Sequence, residues 1–223
     1  MAEYDWDLTS EDFERARLLH EKEKLLTLDE KSMFSAGLYC ILSVAENYKK
    51  HKSMYDKLQE ESLNTPENII RDEGRLEEII KGARFPKQKL SRIKRFAEWW
   101  VWSDVPERIL YDISHGRKEE FNLRNRIAKE APGIGMKGAS LFMIKCGYEN
   151  VVPLDIWILR FLESEGYDVI VPDYNKKSGP SFRAYLQYES FFIDVARKHG
   201  VTPALLQFAL WSKYSTWNET KLF

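Results

Sequence analysis

Lys137 is the residue of this chain whose position best suits covalent chemistry. It lies in the segment APGIGMKGASLF (131–142), where a helix is predicted to begin directly after a glycine-rich turn. A cation near a helix N-terminus is unfavourable by about 0.3–1 kcal/mol, because the helix macrodipole is positive at that end. The same field, together with partial burial, favours the neutral amine, which is the form that attacks carbon. We therefore expect Lys137 to be partly buried and nucleophilic, against the general tendency of lysines to be solvated surface charges.

The glycines around Lys137 follow the dinucleotide-binding pattern Gly133-x-Gly135-x-x-Gly138, and Asp155 lies 20 residues beyond Gly135. That fingerprint requires a buried β-strand before the first glycine. The preceding segment, FNLRNRIAKEAP, is charged and has helical spacing, which argues against a nucleotide cofactor. A helix, a tight turn and a second helix remain, and the free N–H groups of the second helix can bind a DNA phosphate. Asp155, before the apolar segment IWILRFL, is predicted to be a helix N-cap.

Most of the chain shows helical periodicity, which predicts an all-α fold. Helical segments are expected over FSAGLYCILSVAENYKKHKSMYDKL (34–58), in two short pieces over 66–83, over LSRIKRFAEWWVW (90–102), and over LQYESFFIDVARKHG, where Gly200 marks the end. The segment YDVIVPDYNKKSGPS (167–181) is predicted to be a surface loop with a strand-like turn.

The composition excludes several classes of protein. The formal net charge is −1, so any polyanion site must be a local patch. The two cysteines, Cys40 and Cys146, are too few for a disulfide framework or a four-cysteine cluster, and we expect two buried thiols. The polar start and the lack of a long apolar stretch predict a soluble, cytoplasmic protein without a membrane partner.

The segment PGIGMKGASLFMIKCGYENVVPLDIWILRFL (132–162) resembles the helix-hairpin-helix and following aspartate loop of the base-excision DNA glycosylases. The likeness is strongest to the second type of 8-oxoguanine DNA glycosylase/lyase, found in archaea and some bacteria. Weaker similarity at LYCILSVAENY, GARFPKQKLSRIKRFA and LLQFALWSKYSTWNETKLF extends it over most of the chain. The resemblance implies one glycosylase domain of two helical lobes flanking a cleft. We expect a central lobe of about 66–155, which contains the hairpin, and a second lobe of 1–65 with 156–223.

The resemblance also implies a bifunctional DNA N-glycosylase and abasic-site lyase. Its two catalytic residues would be Lys137 and Asp155, which are 18 residues apart as in the family. Lys137 would attack the sugar of a flipped nucleotide, expel the damaged base and form a Schiff base, after which β-elimination cuts the strand. Asp155 would stabilise the positive charge on the sugar. No cofactor is implied, apart from a monovalent cation that hairpin carbonyls of the family can hold against a phosphate.

Double-stranded DNA containing a damaged base, most readily 8-oxoguanine, is the implied partner of a monomeric, nucleoid-associated enzyme. The hairpin residues Gly133, Ile134 and Gly135 would bind phosphate. The segment KGARFPKQKLSRIKR (81–95) has seven basic residues and no acid, which suits either a phosphate-binding surface or a solvated helix face. The predicted DNA contacts outside the hairpin are Lys87, Lys89, Lys94 and Arg160.

Three residues are predicted to contact the flipped base: Phe85, Trp211 and Lys221. Aromatic residues at helical spacing are equally compatible with the core, so both interpretations of the two rings stay open. Lys221, in the final ETKLF, stands near the place of a terminal lysine of the family, although two residues follow it.

Two further features depart from the family pattern. Ile156 and Trp157 follow Asp155 where a basic residue and histidine are usual, and Glu46 or Asn47 would replace an expected amide near the vacated base. These departures concern base recognition and hardly affect the implied lyase chemistry. The alternatives are a glycosylase for another damaged base, a non-catalytic helix-hairpin-helix DNA-binding protein, and a helical protein-interaction domain.

Overall fold

The computed structural model describes residues 6–116, 119–172 and 179–214, and within these ranges it confirms the all-α fold. The described residues form twelve helices and no β-strand, including in the described parts of 167–181. The helices are α1 (Ser10–Glu23), α2 (Glu30–Ser43), α3 (Tyr48–Glu60), α4 (Pro66–Arg71), α5 (Glu73–Ile80), α6 (Pro86–Val101), α7 (Val105–His115), α8 (Glu120–Glu130), α9 (Met136–Lys145), α10 (Ile156–Ser164), α11 (Phe182–Lys198) and α12 (Pro203–Tyr214). In the part of the chain so described, no helix has the length and apolarity needed to cross a membrane.

Local sequence signals account for most helix ends. The two short helices predicted over 66–83 are α4 and α5, and each begins at a polar N-cap, Thr65 or Asp72. Helix α11 ends at Lys198, two residues before Gly200, whose φ of +66° is left-handed. The helical segment over 34–58 is interrupted at Ala45, which has a φ of 58° and separates α2 from α3.

The chain divides into two compact units. One unit contains α2 to α9, within Leu25–Gly147, and its central helix is α2, whose residues 33–42 are all buried. Around α2 pack α3, α6 and α9. The other unit contains α1, before Leu25, and α10 to α12, from Tyr148 onward, and α1 packs along α12. These bounds differ from the expected lobes, because α2 and α3 belong with the hairpin helices.

Candidate active site and DNA-binding hairpin

Helices α8 and α9 form the predicted hairpin. Helix α8 ends at Glu130 with Ala131 as its C-cap, and the Ile134 N–H donates to the Ala131 carbonyl at 3.2 Å to close the turn. Helix α9 begins at Met136, and its N-cap, Gly135, provides no side-chain hydrogen bond. The first N–H groups of α9 therefore lack the side-chain acceptor that usually caps a helix, as an anion site requires.

Glycine occupies positions 133 and 135 of the hairpin for different structural reasons. Gly133 has a φ of +82°, and a Cβ atom there would lie 2.9 Å from the Cβ of Arg92. Gly133 is thus required by the fold itself. Gly135 has an ordinary φ of −89°, and nothing lies within 4 Å of the position that its Cβ would occupy. No unusual backbone angle therefore requires glycine at position 135; the open space suits the close approach of an external group.

Buried contacts hold the hairpin rigid. Ile134 is 4% exposed, and apolar residues of α9 and its C-cap are buried, at Ala139, Phe142, Met143 and Cys146. Arg124 of α8 is fully buried and donates to the Ser140 hydroxyl of α9 at 2.9 Å. Because this bond joins the two helices, the uncapped end of α9 is fixed relative to α8.

Lys137 is the second residue of α9, as predicted, but it is exposed. The expectation of partial burial is therefore wrong, because the buried residues of α9 begin only at Ala139. Its ammonium group is close enough to Cys40 to act on that thiol electrostatically. Burial raises the pKa of Cys40 to about 12, against the opposing charges of Lys145 and Lys137, so this thiol stays protonated. Both cysteines are buried thiols, as expected.

Asp155 is the N-cap of α10. Its Oδ1 accepts the N–H groups of Trp157 at 2.9 Å and Ile158 at 3.0 Å, which confirms the predicted capping role. Both bonds use the same oxygen, and within the described residues Oδ2 takes part in neither. A capping aspartate held in this way keeps one oxygen available to a cationic sugar, so the two roles are compatible. The guanidinium of Arg160, one turn along α10, lies 5.3 Å from the Trp157 ring.

The predicted basic surface divides into residues with different environments. Lys87 is exposed, and Lys94 is half-buried with its Nζ 2.6 Å from the Glu73 carboxylate. Lys89 is 1% exposed; its Nζ donates to the Leu42 carbonyl at 3.0 Å and to Glu46 at 3.3 Å. A buried, paired ammonium group cannot contact DNA, so the structure removes Lys89 from the predicted phosphate contacts.

The sequence carried a signal for this burial that the charge pattern obscured. Lys89 lies on the same face of α6 as four buried residues, Ile93, Phe96, Ala97 and Trp100. These positions follow helical periodicity, so Lys89 belongs to the buried stripe of the helix.

Phe85 is 43% exposed and stands immediately before α6 in the left-handed conformation, with φ 56° and ψ 53°. For a bulky residue that precedes proline this conformation is an outlier, and it costs about 1–3 kcal/mol. Trp211 lies half-buried in α12, whereas Lys221 lies outside the described residues. Asn47 caps α3, whereas the Glu46 carboxylate accepts the backbone N–H of Arg84, the residue directly before Phe85.

The all-α chain, its uncapped hairpin, the lysine in the second hairpin helix and the aspartate N-cap that follows are the features that the resemblance to helix-hairpin-helix DNA glycosylases implies. A model of the family described as 8-oxoguanine DNA glycosylase matches residues 15–201. The chain therefore belongs to the 8-oxoguanine DNA glycosylase family.

Curated relatives and solved structures agree with this assignment. An 8-oxoguanine DNA glycosylase/AP lyase of Korarchaeum cryptofilum is 26% identical over 82% of this chain and 79% of its own length. One from Sulfolobus acidocaldarius is 27% identical over 89% and 91% of the two chains. The crystal structure of the 8-oxoguanine DNA glycosylase of Thermotoga maritima has a TM-score of 0.66 and 21% identity, covering 92% of this chain and 88% of that one.

A second structural match is the Methanocaldococcus jannaschii 8-oxoguanine glycosylase/lyase in complex with a 15mer DNA containing 8-oxoguanine. It has a TM-score of 0.66 and 22% identity, and covers 92% of this chain and 89% of that one. At this level of identity the likeness confirms the fold.

Proposed function

We propose that this protein excises 8-oxoguanine from double-stranded DNA and then cleaves the resulting abasic site, with Lys137 as the nucleophile. The supporting observation is the position of Lys137 in the first turn of α9, directly after a hairpin whose N–H groups have no side-chain cap. A phosphate bound by those groups would hold the DNA backbone within reach of an exposed amine on the same turn. Family membership supplies the reaction class.

In the proposed reaction, the Lys137 Nζ lone pair forms a bond to the C1′ atom of the flipped nucleotide. The bond from C1′ to the base breaks, and its electron pair leaves with the base, which takes up a proton. The nitrogen then loses a proton, the C1′–O4′ bond breaks as the ring oxygen takes up a proton, and the nitrogen lone pair completes the Schiff base with C1′. Removal of a 2′ proton then breaks the C3′–O bond, and the strand fragment on the 3′ side leaves with a phosphate at its 5′ end.

Asp155 is proposed to stabilise the charge that develops on the sugar. Its Oδ1 is held by two backbone N–H groups, which fixes the carboxylate without closing Oδ2. Preorganised charge of this kind is typically the largest single contribution to catalysis. No step of this chemistry requires a metal ion, and a monovalent cation at the hairpin remains a prediction.

The proposed DNA surface consists of Gly133, Ile134 and Gly135 with Lys87 and Lys94. Lys94 would exchange Glu73 for a phosphate. Arg160 is a further proposed phosphate contact, in place of the basic residue usual after the aspartate. Phe85 and Trp211 are proposed to stack on the flipped base, and a base contact by Lys221 is proposed on the resemblance alone. We also propose that the enzyme acts as a monomer in the nucleoid.

Borohydride trapping tests the proposal, because reduction converts a Schiff base into a stable protein–DNA adduct. Duplexes would each carry one 8-oxoguanine, one oxidised pyrimidine, one deaminated base or one abasic site. We expect adducts with 8-oxoguanine and the abasic site, their loss in Lys137→Gln, and full retention in Lys129→Gln, an exposed lysine of α8. Adducts with another lesion alone would revise the substrate. A complete lack of adducts, or an undiminished yield in Lys137→Gln, would contradict the mechanism.

A further inference from the structure

A buried ion pair supports the turn that carries Phe85. The Glu46 carboxylate and the Lys89 ammonium are each 2% exposed at the side chain and lie 3.3 Å apart. Lys89 belongs to the first turn of α6, and Glu46 follows the end of α2, so the pair joins two helices of the same compact unit.

Each partner also binds a backbone group that has no helical partner. The Lys89 ammonium donates to the Leu42 carbonyl in the last turn of α2 at 3.0 Å. The Glu46 carboxylate accepts the backbone N–H of Arg84, the residue directly before Phe85. The start of α6 has no side-chain cap of its own, and Glu46 holds the backbone of Arg84, the residue that precedes the N-cap Phe85.

Two left-handed residues flank this anchor. Ala45, with φ 58°, precedes Glu46, and Phe85, with φ 56°, follows Arg84. Such conformations persist in non-glycine residues only where the surroundings enforce them. The hydrogen bond from Arg84 to Glu46 therefore ties together two turns that each contain a left-handed, non-glycine residue.

The ionisation of Glu46 fits this role. Burial raises the pKa of this carboxyl group, but the Arg84 N–H and the Lys89 ammonium more than offset burial and hold its pKa below the ordinary value. Glu46 is therefore a carboxylate at neutral pH and accepts both donors at once. A buried ionic pair is a poor source of stability compared with apolar packing, so specificity of geometry is the better explanation for it.

We propose that Glu46 and Lys89 are positioning residues that fix the left-handed turn of Phe85 and so hold its ring in the orientation needed to stack on the flipped base. This inference rests on the proposed function, in which Phe85 contacts the base. The positioning role predicts different effects on base excision and on abasic-site cleavage. An abasic site has no base to stack on Phe85, so strand cleavage at a preformed abasic site should not depend on the Glu46–Lys89 pair.

The experiment compares excision of 8-oxoguanine with cleavage of a preformed abasic site, both under single-turnover conditions. The variants are Glu46→Gln, Lys89→Met and the double variant, which leaves no unpaired buried charge and so guards against misfolding. A misplaced contact can slow a reaction by about 100-fold, so we expect excision to fall by about 10- to 100-fold while abasic-site cleavage is retained. The control is Lys50→Met: this half-exposed lysine lies 3.9 Å from Glu46, and its loss should change neither rate.

A second measurement is independent of activity. The backbone chemical shifts of Phe85 report its φ angle, and we expect them to move towards extended values in Glu46→Gln and Lys89→Met but not in Lys50→Met. The positioning role is refuted if excision and abasic-site cleavage fall in equal proportion. It is also refuted if Glu46→Gln, Lys89→Met and the double variant all excise 8-oxoguanine at the normal rate. If the unmodified protein excises no 8-oxoguanine, the proposed function fails instead. Unchanged Phe85 chemical shifts in the variants would then refute the positioning role of Glu46 and Lys89 without any activity measurement.

Discussion

Replacement of Gly135 by serine should stabilise the protein and weaken its binding to DNA. The φ of −89° and ψ of −173° suit a serine N-cap, and the space around the new Cβ is empty. A serine oxygen could then accept a free N–H of α9. Serine improves on glycine at an N-cap by a few tenths of a kcal/mol. Restriction of the unfolded chain adds about 0.4–1 kcal/mol.

The expected sum of about 0.5–1.5 kcal/mol corresponds to a rise in the melting temperature of about 1–6 °C for a chain of this size. The loss of DNA affinity follows from the same hydrogen bond. A bond to a charged group contributes about 1.5–3 kcal/mol, so loss of one N–H contact with phosphate should weaken binding by about 10- to 100-fold.

The change in stability is measured by thermal melts with circular dichroism detection. The change in DNA affinity is measured by fluorescence anisotropy with a lesion-containing duplex at low salt. Gly74→Ala is the control, because Gly74 lies within α5 with no atom near its Cβ position. This control should gain stability and retain full DNA affinity. Unchanged DNA binding by Gly135→Ser would refute phosphate binding at the start of α9, and a lowered melting temperature would refute the capping geometry.

Four other substitutions have distinct expected outcomes. Gly133→Ala should destabilise the fold by at least about 1–2 kcal/mol in denaturant melts, since it combines a left-handed φ with a 2.9 Å approach to Arg92. Lys87→Met should lower by about one unit the slope of log binding constant against log salt concentration, and an unchanged slope would exclude a phosphate contact by Lys87. Asp155→Asn should keep the melting temperature, because asparagine caps equally well, while single-turnover excision falls by about 100-fold or more. Burial lowers the pKa of His20, so stability should be full above about pH 6.5 and decline below it, and melts of His20→Phe should lack this decline.

The features predicted from sequence are those with local causes. The hairpin follows from charged helical residues before Pro132 and from glycines after it, and the Asp155 N-cap follows from the apolar helix that it precedes. The features that sequence could not predict depend on distant partners. Lys89 is buried because Glu46, 43 positions earlier, and the end of α2 accept its hydrogen bonds. The left-handed Phe85 likewise depends on Glu46, which the local sequence around Phe85 does not contain.

Lys137 is exposed, so burial does not contribute to its reactivity in the free protein. A lysine in this position is accessible to a flipped sugar, and its environment would change further when DNA covers it. The reactivity of Lys137 is thus best measured on the DNA complex.

The most direct test of the central claim is the location of the trapped covalent bond. The protein would be reduced with borohydride on an 8-oxoguanine duplex, digested with nuclease and protease, and the modified peptide sequenced by mass spectrometry. We predict a single sugar remnant on the Nζ atom of Lys137. A remnant on any other lysine or on the N-terminal amine, with Lys137 unmodified, would contradict the assignment of the nucleophile.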